Sequence, residues 1–310
     1  MLATYHQGDG VVRYVHQRLN TSVFGDIDLL MDNVLRVTTH LHAHGGLVRL
    51  RPAADGRPYA CDAAGAPWRT LDFIDGARTD RRFSGPGQAG DGAGCAARLV
   101  ADLAGLHPPL PEVIRGFHDV VRRLDHLEAA RKADSRGRAA ECAAEAHAIL
   151  GHAPVALQVA EARADGRLPE RTVHNDAKVE NLLFDEITGA ALGLVDLDTV
   201  GPGTVLFDVG DLVRSGAASG PEDRGPDTVA VDHDIVAAVL DGYTSAGADF
   251  LTPAEVDLLP LAGPLMALEA AARFLTDYLQ GDVYFRVDGP GHNLRRARNQ
   301  LRVLELLLAA

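Results

Sequence analysis

Apolar and polar positions follow two periods along this chain, and the change of period divides it. The first part has a period of two. Ala3–His6 and Val11–Val15 read as strands joined by a hairpin turn at Gly8-Asp9-Gly10. Leu47–Leu50 and Arg69–Ile74 read as further strands, with turns at Asp55-Gly56, Gly65 and Pro67. Between these strand pairs, Leu29, Leu30, Val34, Leu35, Thr38 and Leu41 recur at helical spacing and predict a helix over Asp26–His42. Residues 1–78 are expected to form a small β-rich lobe.

From Ala97 onward the helical period takes over. Val113, Ile114, Phe117, Val121, Leu124 and Leu127 form one stripe, and Arg138–His152 reads as the next helix. Thr252 suits an N-cap, with Pro253 first in the helix and Glu255 completing a capping box. Pro260 and Pro264 are expected to break that helix. Leu268, Ala272, Leu275 and Leu279 define the following one, and Asn293–Leu308 the last. The glycine-rich run Gly85–Gly94 reads as part of a flexible linker over 79–94. A phosphate-binding loop is the alternative, but it lacks the strand-to-helix or hairpin context. The resulting class is α+β: a small β-rich lobe followed by a mainly helical lobe over 95–310.

Composition narrows the partners. A net charge of −13 argues against nucleic acid and anionic membranes. No apolar run approaches the length of a membrane span, and the N-terminus lacks a signal-peptide layout. Three widely spaced cysteines, Cys61, Cys95 and Cys142, suit a reducing compartment better than a disulfide framework. The expectation is a cytoplasmic protein.

One stretch concentrates hard oxygen ligands. His174–Asn181 carries Asp176, Lys178 and Asn181. Leu182–Phe184 and Leu192–Val195 read as antiparallel strands around an Asp185–Gly189 hairpin. That hairpin would return Asp196 beside Asn181. Magnesium accepts one or two carboxylates plus substrate phosphates, so so small a ligand set suffices. The spacing resembles the protein-kinase catalytic loop, in which an Asp orients the accepting hydroxyl while an Asn and a later Asp hold magnesium. Asn175 in place of Arg, and Asp196-Leu197-Asp198 in place of D-F-G, resemble instead the aminoglycoside phosphotransferase and choline kinase superfamily.

Other motifs resemble the N-acetylhexosamine 1-kinases of that superfamily. They are Tyr14–Asn20 with Val23-Phe24 and Leu30–Asn33, Phe117-His118-Asp119 with Arg123, and His174–Lys178 through Asp196–Val200. Asp208–Asp211 with Arg214, Arg273–Phe285 and Asn293–Gln300 continue the likeness. The resemblance implies a bilobal kinase fold and ATP- and magnesium-dependent transfer to the anomeric hydroxyl of an N-acetylated sugar. It implies Asp176 as base, Asn181 and Asp196 as metal ligands, and Thr199 and Arg273 facing sugar or transferred phosphate. Such kinases carry a further strand and glycine-containing turn ahead of the strand that Thr4-Tyr5 fits. Their absence before Met1 is expected to leave the lobe short of its phosphate-covering turn.

Several roles have plainer alternatives. Asp198 either binds a second metal or orients Asp196. Lys178 either reaches the γ-phosphate or is a solvated loop residue. Arg18 is taken as the cation of the small lobe, and Phe73-Ile74-Asp75 as the hinge touching adenine. Arg273 lies four residues after Glu269, so an ion pair on one helix is its alternative. Asp208 is expected to cap a helix. A kinase of an aminoglycoside or another small hydroxyl compound, and an inactive kinase-like binding protein, are the competing functions.

Overall fold

A computed structural model describes residues 1–7 and 10–309. Gly8 and Asp9, two of the three residues assigned to the first hairpin turn, lie outside them. In the small lobe β1 (Leu2–Gln7) pairs antiparallel with β2 (Gly10–Arg18), Tyr5 opposite Val12. After α1 (Ile27–Ala43) come β3 (Leu50–Arg51), β4 (Ala60–Cys61) and β5 (Pro67–Asp72). β5 organises the sheet, pairing with β2, β3 and β4. α1 starts where Asp26 accepts the Leu29 N–H at 2.9 Å. It buries Leu30, Met31, Val34, Val37 and Leu41. Leu35 falls off this stripe and is exposed.

The larger lobe opens with β6 (Ala77–Thr79) and α2 (Pro86–Leu103). Then follow α3 (Val120–Ala133), α4 (Ala143–Gly151), α5 (Ala153–Ala164), β7 (Arg171–Val173), β8 (Leu182–Asp185), β9 (Ala191–Leu194) and β10 (Gly201–Gly203). Five helices close the chain: α6 (Val205–Gly216), α7 (His233–Ala246), α8 (Pro253–Leu258), α9 (Ala262–Gln280) and α10 (His292–Leu308). The β8–β9 hairpin forms as its turn residues predict, and β6 adds to it as a third strand. β6 therefore already belongs to the larger lobe. The chain crosses between sheets at residues 73–76, ahead of the segment expected to link them.

The expected linker is instead the first half of a helix. Gly92 and Gly94 are buried in α2, and Gly90 packs against α7. A Cβ on Gly242 of α7 would lie 2.4 Å from the Gly90 carbonyl oxygen, and one on Gly92 would lie 2.9 Å from Leu182 Cδ1. The glycines cost helix propensity but allow a backbone approach that no side chain permits. We expect Gly242→Ala to destabilise the fold by about 1–3 kcal/mol through overpacking. Thermal unfolding checks this; an unchanged Tm would show that α2 and α7 separate freely.

Three other helical expectations change. α3 starts only at Val120, where Asp119 accepts the Arg122 N–H at 3.0 Å, so Val113–Phe117 precede the helix. α4 starts at Ala143, because Arg138 is drawn away to Asp282 and the Tyr278 carbonyl. Pro264 does not break its helix: it sits in the first turn of α9, where its missing N–H costs nothing. The capping box at Thr252 and Glu255 forms as expected. Pro253–Gln280 is long and apolar enough by composition to cross a membrane, yet 78% of its apolar window is buried within the protein. α9 is the spine of the core, packed by α3, α6 and α10.

Candidate active site

The loop from β7 to β8 carries Asp176, and hydrogen bonds from four sides hold it. Asn175 has φ 62°, a left-handed backbone that a non-glycine residue adopts only when its surroundings demand it. Buried Asp208 makes that demand. Its carboxylate accepts the His174 and Asn175 N–H groups at 2.9 and 2.8 Å. Asp208 lies inside α6, whose N-cap is Thr204, so it braces the loop and caps no helix. His174 Nε2–H donates to the Val195 carbonyl at 2.9 Å, tying the loop to the end of β9. The Thr199 hydroxyl donates to the His174 carbonyl at 2.9 Å, and Asn175 Nδ2 donates to the Thr199 carbonyl at 3.1 Å. Thr199 lines the cavity, but its hydroxyl is committed to the loop.

Asp176 is oriented through one oxygen. Its Oδ2 accepts from Lys178 Nζ at 2.7 Å and from Asn181 Nδ2 at 2.9 Å, while no described residue takes Oδ1. Lys178 is thus no solvated loop residue. Burial depresses its pKa, but the carboxylates of Asp176, Asp196 and Asp211, Asp176 foremost, together outweigh burial and hold it above the ordinary lysine value. Asn181 spends its amide nitrogen on Asp176, leaving its carbonyl oxygen as the group for a cation.

Asp196, also left-handed at φ 62°, stands beside Asp198. The Asp196 carboxyl is held above the ordinary aspartate range, first by partial removal from water and then by the charges of Asp198 and Asp176. Such crowding of carboxylates is what a divalent cation relieves. Among the described residues no three His, Cys, Asp or Glu side chains form a metal cage. Magnesium, which takes few protein ligands alongside phosphate oxygens, requires none.

The cation that meets these acids is Arg69, not Arg18. Arg69 is buried on β5, hydrogen-bonds Asp198, and lies 3.9 Å from Asp196. Gln17 on β2 accepts its Nε–H at 2.9 Å. Arg18 is exposed at the rim of a cavity of about 420 Å³ that Arg69, Asp196 and Asp198 also line. Strand parity carries the missed signal: Pro67, Arg69 and Leu71 share one face of β5, so the guanidinium points in. Phe73 and Asp75 sit in the crossover. There Arg13 stacks 4.3 Å from the Phe73 ring centroid and pairs with Asp75. The Phe73 N–H donates to the Arg13 carbonyl at 3.1 Å, which takes that group from any purine.

Beside Asp176 opens a cavity of about 460 Å³ between the β7–β8 loop and α9. Arg273 stands in its wall, its guanidinium 5.4–5.8 Å from the ring centroids of Phe117, Tyr284 and Phe285. Its partner Glu269, one helical turn earlier, is buried, with Oε1 3.5 Å from Arg273 and 3.9 Å from Arg123. Arg273 thus pairs along its own helix with a buried carboxylate and also lines the cavity. Glu269, Tyr284 and His118 were not anticipated as site residues, because tertiary packing alone brings their elements together.

The chain as a whole has relatives among known proteins. Residues 4–247 match the APH phosphotransferase enzyme family. The chain belongs to that family. Solved structures of similar fold include an aminoglycoside phosphotransferase from Alicyclobacillus acidocaldarius (13% identity, TM-score 0.65, covering 99% of this chain and 90% of that one). The choline kinase LicA from Streptococcus pneumoniae is 11% identical with a TM-score of 0.57, covering 100% and 94%. Spectinomycin phosphotransferase APH(9)-Ia, in complex with ADP and spectinomycin, is 10% identical with a TM-score of 0.56, covering 99% and 89%. At these identities the likeness is one of fold. The bilobal, protein-kinase-like architecture expected of this phosphotransferase is the one it adopts.

Proposed function

We propose that this phosphotransferase moves the γ-phosphoryl group of ATP, taken up with magnesium, to the anomeric hydroxyl of an N-acetylated hexosamine, giving the sugar 1-phosphate. The observation that carries the acceptor class is the charge of the cavity beside Asp176. The protein is acidic overall, yet Asp176, Glu180, Asp211, Glu222 and Glu269 in that wall are met by Lys178, Arg214, Arg273, Arg286 and Arg296, with His118 beside them, so the wall has no excess of carboxylates. A cationic acceptor such as choline or an aminoglycoside would need an excess of carboxylates. The aromatic faces of the kind that cage a quaternary ammonium are already occupied by Arg273. A neutral polyol with a carbonyl acceptor group suits this wall. The Arg273–Phe285 segment, where the resemblance to the sugar 1-kinases is most specific, builds it.

In this reading Asp176 receives the acceptor hydroxyl at Oδ1, while Lys178 and Asn181 fix Oδ2. Phosphoryl transfer passes through a loose transition state, so orientation by Asp176 outweighs its weak basicity. Asn181, Asp196 and Asp198 would hold magnesium, which when bound neutralises charge on the phosphates. Arg69 contributes a fixed positive charge on the same side.

The test is phosphorus NMR of magnesium, ATP and this protein with N-acetylglucosamine or N-acetylgalactosamine, beside choline and an aminoglycoside. A sugar 1-phosphate is the expected product. Phosphorylation of a cationic acceptor alone would move the reading to that class, and transfer to none of them would favour an inactive binder.

A further inference from the structure

His118 lies between the acceptor cavity and the catalytic loop, and the mechanism above does not use it. Its side chain is buried. Nδ1 is 2.8 Å from Glu269 Oε2, and Nε2 is 2.8 Å from the Asn175 carbonyl oxygen. A carboxylate and a carbonyl can only accept, so both ring nitrogens must donate, and only the imidazolium has two N–H groups. Phe117 and Phe207 enclose the ring, with centroids at 4.4 and 4.6 Å.

The two bonds end at consequential places. Asn175 is the left-handed residue directly before Asp176, and its carbonyl belongs to the peptide that leads into the base. Asp208 holds the N–H side of Asn175, and His118 holds the carbonyl side. Glu269 is the shared partner of Arg273 and Arg123. With Oε2 given to His118, the carboxylate presents Oε1 to both guanidinium groups.

We propose that His118 is a positioning residue that ties the orientation of Asp176 to the Glu269–Arg273 wall of the acceptor cavity, and does so only while both ring nitrogens carry protons. The inference rests on Asp176 being the group that meets the acceptor hydroxyl. The charged groups around the ring are Glu269 and Arg273 from α9, Arg123 from α3, Asp211 from α6, and Asp176 beyond Asn175. Burial pulls the His118 pKa down, but the Glu269 carboxylate, Asp211 and the hydrogen bond to Asn175 together outweigh burial and raise it above the ordinary histidine value. The imidazolium contribution is therefore fully present below the ordinary histidine pKa. It is lost as pH rises through the raised value in the folded protein.

The test needs no turnover in its first arm. Nitrogen-15 spectra of the histidine rings, assigned by comparison with His118→Gln, report the protonation of both nitrogens across pH. Carbon-13 spectra of the Asp carboxyls report whether Asp176 shifts with it. We expect an imidazolium at pH 7, and an Asp176 resonance that moves in step with His118 on the alkaline side in wild type but not in His118→Gln. A neutral ring at pH 7, or an Asp176 signal indifferent to His118, overturns the proposal whatever the acceptor proves to be. If His118→Gln fails to fold, His118→Asn serves as the comparison for the wild-type titration. In the second arm, with whichever acceptor turns over, the Gln variant should lose about 10²-fold in kcat, the scale of a small misplacement. Its KM for ATP should be unchanged and its alkaline limb gone. An alkaline limb identical to that of wild type also overturns the proposal. Absence of turnover with every acceptor speaks only against the proposed function.

Discussion

Asp176→Asn is expected to cut phosphoryl transfer by about 10²–10⁴-fold, the range lost with a positioned proton acceptor, while nucleotide affinity stays close to that of wild type. The substitution is isosteric. An Asn carbonyl oxygen can still accept from Lys178 and Asn181, as Oδ2 does now at 2.7 and 2.9 Å. What disappears is the charged oxygen that no described residue uses. Lys178 also loses the neighbour that raises its pKa and should titrate lower. Phosphorus NMR for turnover, with calorimetry for nucleotide binding, separates the two effects. A variant whose turnover stays within about tenfold of wild type would mean that Asp176 is not the group meeting the hydroxyl.

Arg69→Met should have the largest effect on stability. Arg69 is buried and Asp198 is largely shielded, with 12% of its side chain exposed, and removing one partner of a buried pair typically costs about 3–5 kcal/mol because the other charge is stranded. The diagnostic sign is in the rescue. With Arg69 gone, Asp196 and Asp198 lack their cation, so added magnesium should raise the Tm of the variant more than that of wild type. Acidification should rescue it too. Asp196 already binds its proton more readily in the folded chain than an ordinary aspartate does, and Arg69 is one of the groups restraining that rise. For a carboxyl with a raised folded pKa, stability increases as pH falls through that value. Mg-nucleotide affinity should fall by about tenfold to 100-fold, the worth of a charged hydrogen bond. A variant with wild-type Tm and no added response to magnesium would show that the Arg69–Asp198 pair does not govern the cleft.

How far the chain could be read in advance depended on the range of the interactions. The β8–β9 hairpin, the Asp26 cap of α1 and the Thr252 capping box were legible because each closes within a few residues, where spacing alone sets geometry. The return of Asp196 to the side of Asn181 was legible for the same reason: a short hairpin brings Val195 back to hydrogen-bond the Asn181 carbonyl. The glycine-rich run was misread because glycine has two opposite uses. It frees a backbone in water, and in the core it admits a second backbone at contact distance. Only the presence of α7 against α2 decides between them. Asp208 looked like a cap because capping is what an Asp near a helix start usually does. The orphan N–H groups of a loop 34 residues earlier claimed it instead.

The spacing of side chains along one stretch therefore settled which residues the loop brings together, and the change of period along the chain settled the class of fold, since backbone geometry converts short separations into fixed distances. The assembly around that loop was left to tertiary packing. Arg69 reaches Asp198 across 129 residues and His118 reaches Glu269 across 151. No local rule specifies such pairs, because their energy exists only once the surrounding core has excluded water and brought the groups together. Burial also turns these side chains, individually unremarkable in sequence, into the charges that shape the cleft: in water each would be screened, and in the interior each must find its partner.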